Sequence, residues 1–305
     1  MLVLKDEQLK QLLPLLEADL PRSLPVFHLL RNNLRGRFAW PGLEFVVDDF
    51  PNVSVCICRP EHEGGKYVPI VNGYSVFIYS RNPEALKKML FEQRAVDWSK
   101  PIIFLHAPEP EHLLLLEEGK NFPEGRFDQV HFRRDFPEGA FAYLFDLPNL
   151  DLTYTLPDGY HMGPLQPHHA AMIGRDRKYG HEENNTIYFR RLISSGFPTA
   201  AVYSDTEPDV PVAYIVLKAE GAIGAAFVKK ELRSMGLARA VAFELFRQLR
   251  ELGETWVWGD VMKFNIASQR TVEAGGGKKI EGMDIHWIGY LPNSVEGEIR
   301  VEYYV

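Results

Sequence analysis

The stretch FVKKELRSMGLARAVAFEL, residues Phe227–Leu245, decides the fold class of this 305-residue chain. It begins at the end of an apolar, strand-like run, Ala222–Val228, and passes through a short polar turn into a long amphipathic helix pattern. Gly236 lies in the turn, directly before the helix. The first amide groups of a helix have no partner within it and lie at the positive end of its dipole. The stretch therefore predicts an anion-binding turn between a strand and a helix.

Strand and helix patterns alternate along the rest of the chain, and this alternation predicts an α/β sheet. In the first half, helices are predicted at Asp6–Leu20, Pro83–Gln93 and Glu109–Glu118, and strands at Glu44–Val47, Val53–Arg59, Tyr74–Tyr79, Ile102–His106 and Ala140–Phe145. The composition of Leu147–Leu150 is typical of a linker. In the second half, helices are predicted at Pro167–Asp176, Thr186–Ser195, from Gly236 to about Leu252 and at Ile266–Ala274. Strands are predicted there at Tyr160–Leu165, Thr199–Ser204, Val210–Ala219, Ala222–Val228, Thr255–Asp260 and Ile285–Leu291.

The overall charge and hydropathy narrow the function classes. A net charge of −7 argues against a general nucleic-acid-binding protein, which needs a basic surface. The helix stretch is a local exception, because residues 228–250 hold six Lys or Arg against two Glu. That local excess suits a polyanionic ligand, although a solvated helix face would look similar. No apolar run approaches the roughly 20 residues that span a bilayer, and the N-terminus lacks a secretory pattern, so an intracellular protein with no membrane partner is expected.

The two cysteines, Cys56 and Cys58, alternate with apolar residues in a strand pattern. Residues two apart on a strand point to the same face. The pair could provide two metal ligands, but no second pair or histidine cluster completes a site. The pattern favours free strand thiols in a reducing compartment and predicts no metal.

Two elements of the second half point to one cofactor. The spacing Arg-x-x-Gly-x-Ala, from Arg233 to Ala238, resembles the pyrophosphate-binding turn of the GCN5-related N-acetyltransferases, which hold acyl-coenzyme A there. Downstream, Asn265 to Ser268 leads to the glycine turn at 275–277 and resembles the motif beside the cofactor's pantetheine arm. Each element alone also has a plain structural interpretation, a tight glycine turn for the first and an Asn N-cap for the second. Their combination favours the cofactor.

Glu231 lies two residues before Arg233, where the strand gives way to the turn. A carboxylate there would face the gap between a thioester and an incoming amine. Since an amine is protonated near neutrality, it needs a positioned base before it can attack. Two alternatives stay open: Glu231 could be a surface residue paired with Lys229 or Lys230, and His286 in the last strand could be the base.

Longer segments resemble the glycine N-acyltransferase and glycine N-acyltransferase-like family. In the first half these segments are FVVDDFP at Phe45–Pro51, YSVFIYS at Tyr74–Ser80 and VDW at Val96–Trp98. In the second half they run from Lys178-Tyr179-Gly180 through Arg190-Arg191-Leu192-Ile193 to Phe197-Pro198-Thr199, and the turn ELRSMGL at Glu231–Leu237 follows. The resemblance covers most of the chain.

The resemblance implies a fold and an organisation. The fold is that of the GCN5-related N-acetyltransferases, a mixed and mostly antiparallel sheet flanked by helices. Residues 149–305 would form the catalytic domain that binds acyl-coenzyme A, and residues 1–148 a related, degenerate copy.

The resemblance also implies an activity, the transfer of an acyl group from acyl-coenzyme A to the amino nitrogen of glycine or another small amino acid. The partners would be these small molecules, in a mitochondrial or cytoplasmic location. Glu231 would be the general base. The cofactor-binding residues would be the strand backbone at Phe227 and Val228, the turn Arg233, Ser234, Met235, Gly236, Leu237 and Ala238, and the helix start at Asn265 and Ser268.

One position departs from the superfamily. Many members place a Tyr seven residues after the Asn to protonate the departing thiolate, and this chain has Val272 there. Ser268 or water could serve instead, or the thiolate could leave unassisted. Transfer to a protein or a polyamine, and acyl-coenzyme A sensing without catalysis, are the alternative functions. Arg175, Arg190 and Arg191 are candidate partners for an acceptor carboxylate, and the oligomeric state is not indicated.

Overall fold

The structure, a computed structural model, describes residues 1–36, 40–61, 74–130, 139–176 and 182–296. The resemblance quoted for Lys178-Tyr179-Gly180 lies outside the described residues. The first half contains strands β1 (Leu2–Val3), β2 (Leu43–Val47), β3 (Val55–Pro60), β4 (Tyr74–Ser80), β5 (Ile102–Pro108), β6 (Gly125–Gln129) and β7 (Ala140–Asp146). Its helices are α1 (Asp6–Glu17), α2 (Leu24–Arg35), α3 (Pro83–Lys87), which continues as one π-helical turn to Glu92, and α4 (Glu109–Gly119).

The second half repeats the alternation of strands and helices. Its strands are β8 (Tyr160–Gly163), β9 (Thr199–Ser204), β10 (Glu207–Leu217), β11 (Ala222–Val228), β12 (Trp256–Met262) and β13 (Lys278–Pro292). Its helices are α5 (Ala170–Asp176), α6 (Glu182–Ser194), α7 (Leu237–Glu251) and α8 (Ile266–Ala274), with short 3-10 turns at Leu147–Asn149, Pro167–His169 and Lys230–Leu232.

In the described part of the chain, all 13 strands join one continuous sheet in the order β1-β2-β3-β4-β5-β13-β7-β12-β11-β10-β9-β8, with β6 paired to β13. Only two neighbouring pairs within that part are parallel, β4 with β5 and β11 with β12. Each parallel pair is connected through a helix, as parallel strands require. The sheet is therefore mixed and mostly antiparallel, as expected, and the described part of each half holds one strand–helix–strand unit with parallel strands.

The two halves exchange strands. Strand β7 of the first half lies between β12 and β13, and Trp258 is opposite Leu144. The end of β13, from the second half, inserts beside β5, with Tyr290 opposite Ile102. Backbone hydrogen bonds thus cross the predicted division of the chain into residues 1–148 and 149–305 in both directions, so the halves share one scaffold.

Helix α7 holds its position through its apolar face. Leu237, Val241 and Leu245 are buried, and the ring of Phe246 lies 4.7 Å from that of Phe145 on β7. Burial of one such side chain contributes about 1.5–3 kcal/mol. This packing fixes the start of α7, and with it the predicted turn, at the end of β11.

Several sequence expectations are confirmed, and others fail for identifiable reasons. Strands Thr199–Ser204 and Ala222–Val228 and helix Ile266–Ala274 have the predicted bounds. Helix α2 was not predicted; its Pro25 lies in the first helical turn, where a proline is tolerated. Strand β6 was also missed, and β13 begins seven residues before the predicted Ile285. The early part of β13 pairs with β7, and the local sequence pattern does not indicate such a long-range contact.

Cys56 and Cys58 are free and buried on β3, as predicted, and burial raises the pKa of both thiols. None of the described helices is both long and apolar enough to cross a membrane.

Candidate functional site

The sheet opens between β11 and β12. These parallel strands pair only at Ala222↔Trp258 and Ile223↔Gly259, and beyond that point they separate. A bulge in β11 accompanies the opening: its register against β10 shifts between Phe227 and Gly224, and Ala225 has a φ of +51°. A bulge bends its strand and increases the local twist. The result is a split in the sheet, defined here as the gap between Gly224–Val228 and Asp260–Met262.

The backbone of Val228 faces this split. The N–H of Lys229 donates to the carbonyl of Val212 on β10 at 2.9 Å. Successive peptide groups of a strand point in opposite directions, so the N–H of Val228 points away from β10 and towards the split. Phe227 is held from the other side, because its ring stacks on Tyr214 at 5.1 Å. The two residues predicted to contact the pantetheine arm thus lie on the open edge of β11.

The turn after β11 contains two residues with positive φ and, within the described part of the chain, a row of unpaired backbone amides. Ser234 has a φ of +69° and Gly236, the N-cap of α7, has a φ of +79°. No described residue accepts a hydrogen bond from the backbone amides of residues 234–239. Alternation of left- and right-handed backbone brings successive amides together in a concave, anion-binding surface. The positive end of the α7 dipole adds to it.

The side chains of the turn differ in their burial and contacts. Leu237 is buried and fixes the helix start, whereas Met235 is 41% exposed. The guanidinium Nε of Arg233 lies 3.5 Å from the carbonyl of Val228, so the Arg233 side chain folds back along the end of β11. Ala238, in the first turn of α7, is half-buried.

Asn265 caps α8, and its side-chain oxygen accepts from the amide of Ser268 at 3.2 Å. Asn265 therefore caps the helix through its side-chain oxygen, and its side-chain nitrogen Nδ2 is left for a ligand.

Val272 packs at the other end of α8, where a Cβ on Gly277 would lie 2.6 Å from its methyl group. The hydroxyl of Tyr143, on β7, donates to Glu273 at 3.2 Å.

Glu231 is exposed in the 3-10 turn Lys230–Leu232, between the end of β11 and the anion-binding turn. Its carboxylate makes no ion pair or hydrogen bond within the described part of the chain. Lys229 instead lies near Glu207, with Nζ 3.9 Å from the carboxylate. The expected alternative, a surface pair between Glu231 and Lys229 or Lys230, is not seen.

His286 is not brought together with this site. It lies on β13, which β7 separates from β12. Its ring stacks on His112 at 3.9 Å and its Nδ1 accepts from Gln129 at 3.2 Å. Burial, with smaller effects from the charges of His112 and Lys263, lowers its pKa to about 4. A buried, neutral His286 away from the split does not fit the alternative role of base.

The sequence analysis missed a charged cluster at the inner end of the split, formed by His106, Lys218, Glu220 and Asp260. Nζ of Lys218 lies 3.0 Å from Asp260 and 3.1 Å from Glu220, and Nε2 of His106 lies 3.4 Å from Asp260. Burial alone would raise the pKa of Asp260, but Lys218 and His106 hold it well below its usual value. The sequence offered one sign of this cluster, since Asp260 is a charged residue within the apolar strand pattern WVWGDVM.

The corresponding unit of the first half is closed. The turn between β4 and α3 is short, Pro83 has no N–H, and the side chain of Asn82 accepts from the amide of Ala85 at 3.1 Å. Between β4 and β5, the ring of Phe77 stacks with that of His106 at 6.3 Å. The first half therefore keeps the strand–helix–strand arrangement, but in its turn before α3 only the backbone amide of Glu84 has no acceptor among the described residues.

Comparison with known families finds a match in the first third of the chain, outside the split. Residues 1–108 match the family model described as aralkyl acyl-CoA:amino acid N-acyltransferase, which covers about a third of the chain. This match confirms the family resemblance over residues 1–108, at the level of acyl-CoA:amino acid N-acyltransferases. No curated protein sequence matches the chain.

Solved structures show the same fold over nearly the whole chain. A Drosophila protein determined by structural genomics has a TM-score of 0.75 at 15% identity, over 96% of this chain and 98% of that one. A tandem GCN5-related N-acetyltransferase from the clavulanic acid biosynthesis pathway has a TM-score of 0.57 at 15% identity, over 97% and 99%. A GCN5-related N-acetyltransferase from Kribbella flavida has a TM-score of 0.50 at 13% identity, over 89% and 94%.

At these identities the structural matches show the fold, that of tandem GCN5-related N-acetyltransferases. With the family match, they support acyl transfer with acyl-coenzyme A as co-substrate as the class of chemistry. Among the described residues, no group of three or more His, Cys, Asp or Glu side chains is placed to hold a metal ion.

Proposed function

We propose that this chain transfers an acyl group from acyl-coenzyme A to the amino nitrogen of glycine or another small amino acid. One observation carries the proposal: the exposed carboxylate of Glu231 lies between the open edge of β11 and the concave turn at Ser234–Gly236. If Glu231 is the base, it would lie between the strand edge proposed to hold the thioester and the turn proposed to hold the pyrophosphate.

The cofactor would follow β11 inwards from the turn. In this proposal, the open amides of residues 234–238, the side chain of Arg233 and the α7 dipole hold the pyrophosphate. The backbone of Phe227 and Val228 pairs with the pantetheine arm, as an added strand pairs with a sheet edge. Asn265 and Ser268 contact the arm from the start of α8. Residues 149–305 would bind the cofactor, and residues 1–148 would form the related half that does not.

Glu231 would start the reaction by taking a proton from the ammonium group of the amino acid, directly or through one water. The free amine attacks the thioester carbonyl, and the N–H of Val228 donates to the oxygen that gains negative charge. The C–S bond then breaks and coenzyme A leaves as the thiolate. The thiolate takes up one of the two protons on the attacking nitrogen, the other stays as the N–H of the new amide, and Glu231 returns its proton to solvent. No covalent bond to the protein forms.

The thiolate would leave with the help of Ser268 or water, because Val272 occupies the position of the usual Tyr.

The acceptor carboxylate needs a cation near Glu231. Arg175 and Arg190 are exposed, whereas the guanidinium of Arg191 packs over the Trp40 ring at 4.8 Å. Arg175 and Arg190 are therefore the better candidates. The family resemblance also supports a mitochondrial location, with the cytoplasm as alternative.

A thiol-release assay with a panel of acyl-coenzyme A donors and acceptors tests the proposal. We expect release with glycine or another small amino acid, and formation of the N-acyl amino acid by mass spectrometry. Release only with polyamines or lysine peptides would instead identify a different acceptor class. Binding of acyl-coenzyme A in calorimetry without thiol release from any acceptor would identify a sensor.

A further inference from the structure

We propose that Asp260 is a positioning residue for acyl transfer. Held by Lys218 and His106, it fixes β12 against β11 at the point where their backbone pairing ends, and so sets how the reacting groups on the two strands face each other. The inference rests on the proposed function, since it concerns the geometry of the same reaction.

The ion pair between Lys218 and Asp260 takes over where the backbone pairing stops. Ile223↔Gly259 is the last pair between β11 and β12, so Asp260 is the first residue of β12 beyond that pairing. The stem of Lys218 runs over Gly224, where an added Cβ would be 2.8 Å from Cε, and its Nζ reaches Asp260 at 3.0 Å. Lys218 thus connects the turn between β10 and β11 to β12 across the first step of the split.

Asp260 is held in place from both halves of the chain. Besides Lys218, it contacts Nε2 of His106 on β5 at 3.4 Å. The Nζ of Lys218 also lies 3.1 Å from Glu220, and all four side chains are at most 13% exposed. Displacement of Asp260 would separate buried charges from their partners, which is strongly unfavourable. The cluster therefore leaves β12 little freedom to move relative to β11.

The two strands lead from this point to the groups that would act on the thioester. Beyond Asp260, β12 ends at Met262. The carbonyl of Met262 accepts from the backbone N–H of Asn265 at 2.9 Å and from the side chain of Gln269 at 3.2 Å, which attaches the start of α8 to the end of β12. On the other side of the split, β11 ends at Val228. The position of Asp260 against β11 therefore sets where Asn265 lies relative to the N–H of Val228.

Backbone strain is concentrated around the same split. Five non-glycine residues in the described part of the chain have a positive φ, and three of them are here: His106 at +53°, Ala225 at +51° and Ser234 at +69°. Such conformations persist only where the surrounding contacts over-determine them, and they cluster at sites where geometry serves function. His106 belongs to the charged cluster and Ala225 to the bulge that accompanies the split. The strain supports a positioning role for the cluster over one of packing alone.

A double variant, Lys218→Met with Asp260→Asn, tests the inference, because it removes the ion pair at similar side-chain volume and constant net charge. We expect kcat in the thiol-release assay, counted per chain that binds coenzyme A in calorimetry, to fall by at least about tenfold, since a misplacement of about 1 Å can cost about 10²-fold. The Kd for coenzyme A should stay within about threefold of the wild-type value, because the anion-binding turn is intact. Counting per binding chain separates misplacement from a smaller folded fraction.

The matched control is Arg31→Met with Glu254→Gln, which removes a similarly buried ion pair of 2.7 Å at the opposite end of the β12 segment. Its kcat per binding chain should stay within about threefold of the wild-type value. An equal fall in both double variants would show a general loosening and overturn the inference. An unchanged kcat in the Lys218→Met, Asp260→Asn variant would overturn it as well.

The pH dependence of kcat separates positioning from direct proton transfer. With Glu231 as the base, the variant should keep the wild-type pH profile at a lower rate, whereas loss of the acidic limb would identify Asp260 itself as the base and contradict its positioning role. Should the double variant not fold, Asp260→Asn alone decides by the same measurements, because Glu220 still neutralises Lys218 there. If the wild-type chain binds coenzyme A but releases no thiol with any acceptor, the proposed function fails and the inference fails with it.

Discussion

The imidazole of His106 lies 3.4 Å from the carboxylate of Asp260 and joins the two halves of the chain at the points where their parallel strand pairs open. His106 belongs to β5 of the first half and Asp260 to β12 of the second. The ring also packs edge-on against Trp258 at 5.4 Å and Trp287 at 5.2 Å. The His106 ring thus lies between β4 and β5 in the first half and contacts Asp260 at the inner end of the split in the second half.

Removal of the His106 ring should destabilise the whole chain. Because His106 has a φ of +53°, His106→Gly removes the ring without adding backbone strain. The lost contacts and the cavity should lower the free energy of unfolding by about 2–4 kcal/mol, measured by urea denaturation. His161→Ala is the control, because His161 also pairs with an Asp, at 2.8 Å, but on the surface. Its effect should stay within about 1 kcal/mol, and equal effects would contradict a special role of His106.

Replacement of the proposed base should slow the reaction without weakening cofactor binding. Glu231→Gln should lower kcat by about 10²–10⁴-fold at neutral pH. Partial recovery is expected at high pH, where more of the amine is already neutral. Glu207→Gln makes the same charge change on the neighbouring strand and should keep nearly full activity. Full turnover of Glu231→Gln at neutral pH would show that another group is the base.

Gly236 and Gly253 provide a matched test of the anion-binding turn, because they flank the two ends of α7. Their φ values are +79° and +83°, and a Cβ on either would meet no atom within 4 Å. Valine at either position should therefore cost similar stability through backbone strain. Only Gly236→Val should weaken coenzyme A binding, by at least about tenfold in calorimetry. Unchanged affinity in Gly236→Val would contradict the turn as the pyrophosphate site.

Each chain should bind a single molecule of coenzyme A, although both halves contain a strand–helix–strand unit. Among the described residues, Pro83 and the Asn82 cap leave only the amide of Glu84 open in the turn before α3, whereas the second half has a row of open amides at residues 234–239. Calorimetric titration of the intact chain measures this number. The Gly236→Val variant should lose that single binding event, and a second event that persists in it would place a site in the first half.

Stability should fall as the pH decreases from about 6.5 to about 4, partly because of His286. Its pKa is about 4 in the folded chain against about 6.5 in an unfolded one, so the unfolded state binds more protons in this window. The expected loss from this residue is on the order of 2 kcal/mol. Urea denaturation at pH 7 and pH 4.5 measures it, with His286→Gln as the variant that should show a smaller loss. His28 also has a lowered pKa and would retain part of the pH dependence in that variant.

Local sequence was sufficient for the part of the site that lies on one continuous segment. The run from Ala222 to Leu245 contains a strand, a turn and a helix in the order that creates an anion-binding surface, and the structure has them at nearly the predicted bounds. Gly236 takes up the positive φ that its position in the turn requires. Neighbouring residues are enough here, because turn and helix-start geometry depends on contacts within a few positions.

Elements whose stability comes from distant partners escaped the sequence analysis. Helix α2 buries eight of its twelve residues, among them the polar His28 and Asn32, against other parts of the chain. The early part of β13 has polar residues and becomes a strand by pairing with Leu144 and Tyr143 of β7. The roles of these segments depend on partners more than a hundred residues away.

The sequence by itself determined the fold class, the turn at Arg233–Ala238 and the position of Glu231 after a strand, since each follows from short-range backbone geometry and hydrophobic period. Only the tertiary structure decided how far β11 and β12 separate, which strands the two halves exchange, and that His106, Lys218, Glu220 and Asp260 meet. Hydrogen-bond register between strands and the burial of charges depend on which surfaces come together in three dimensions. No window of neighbouring residues contains that information.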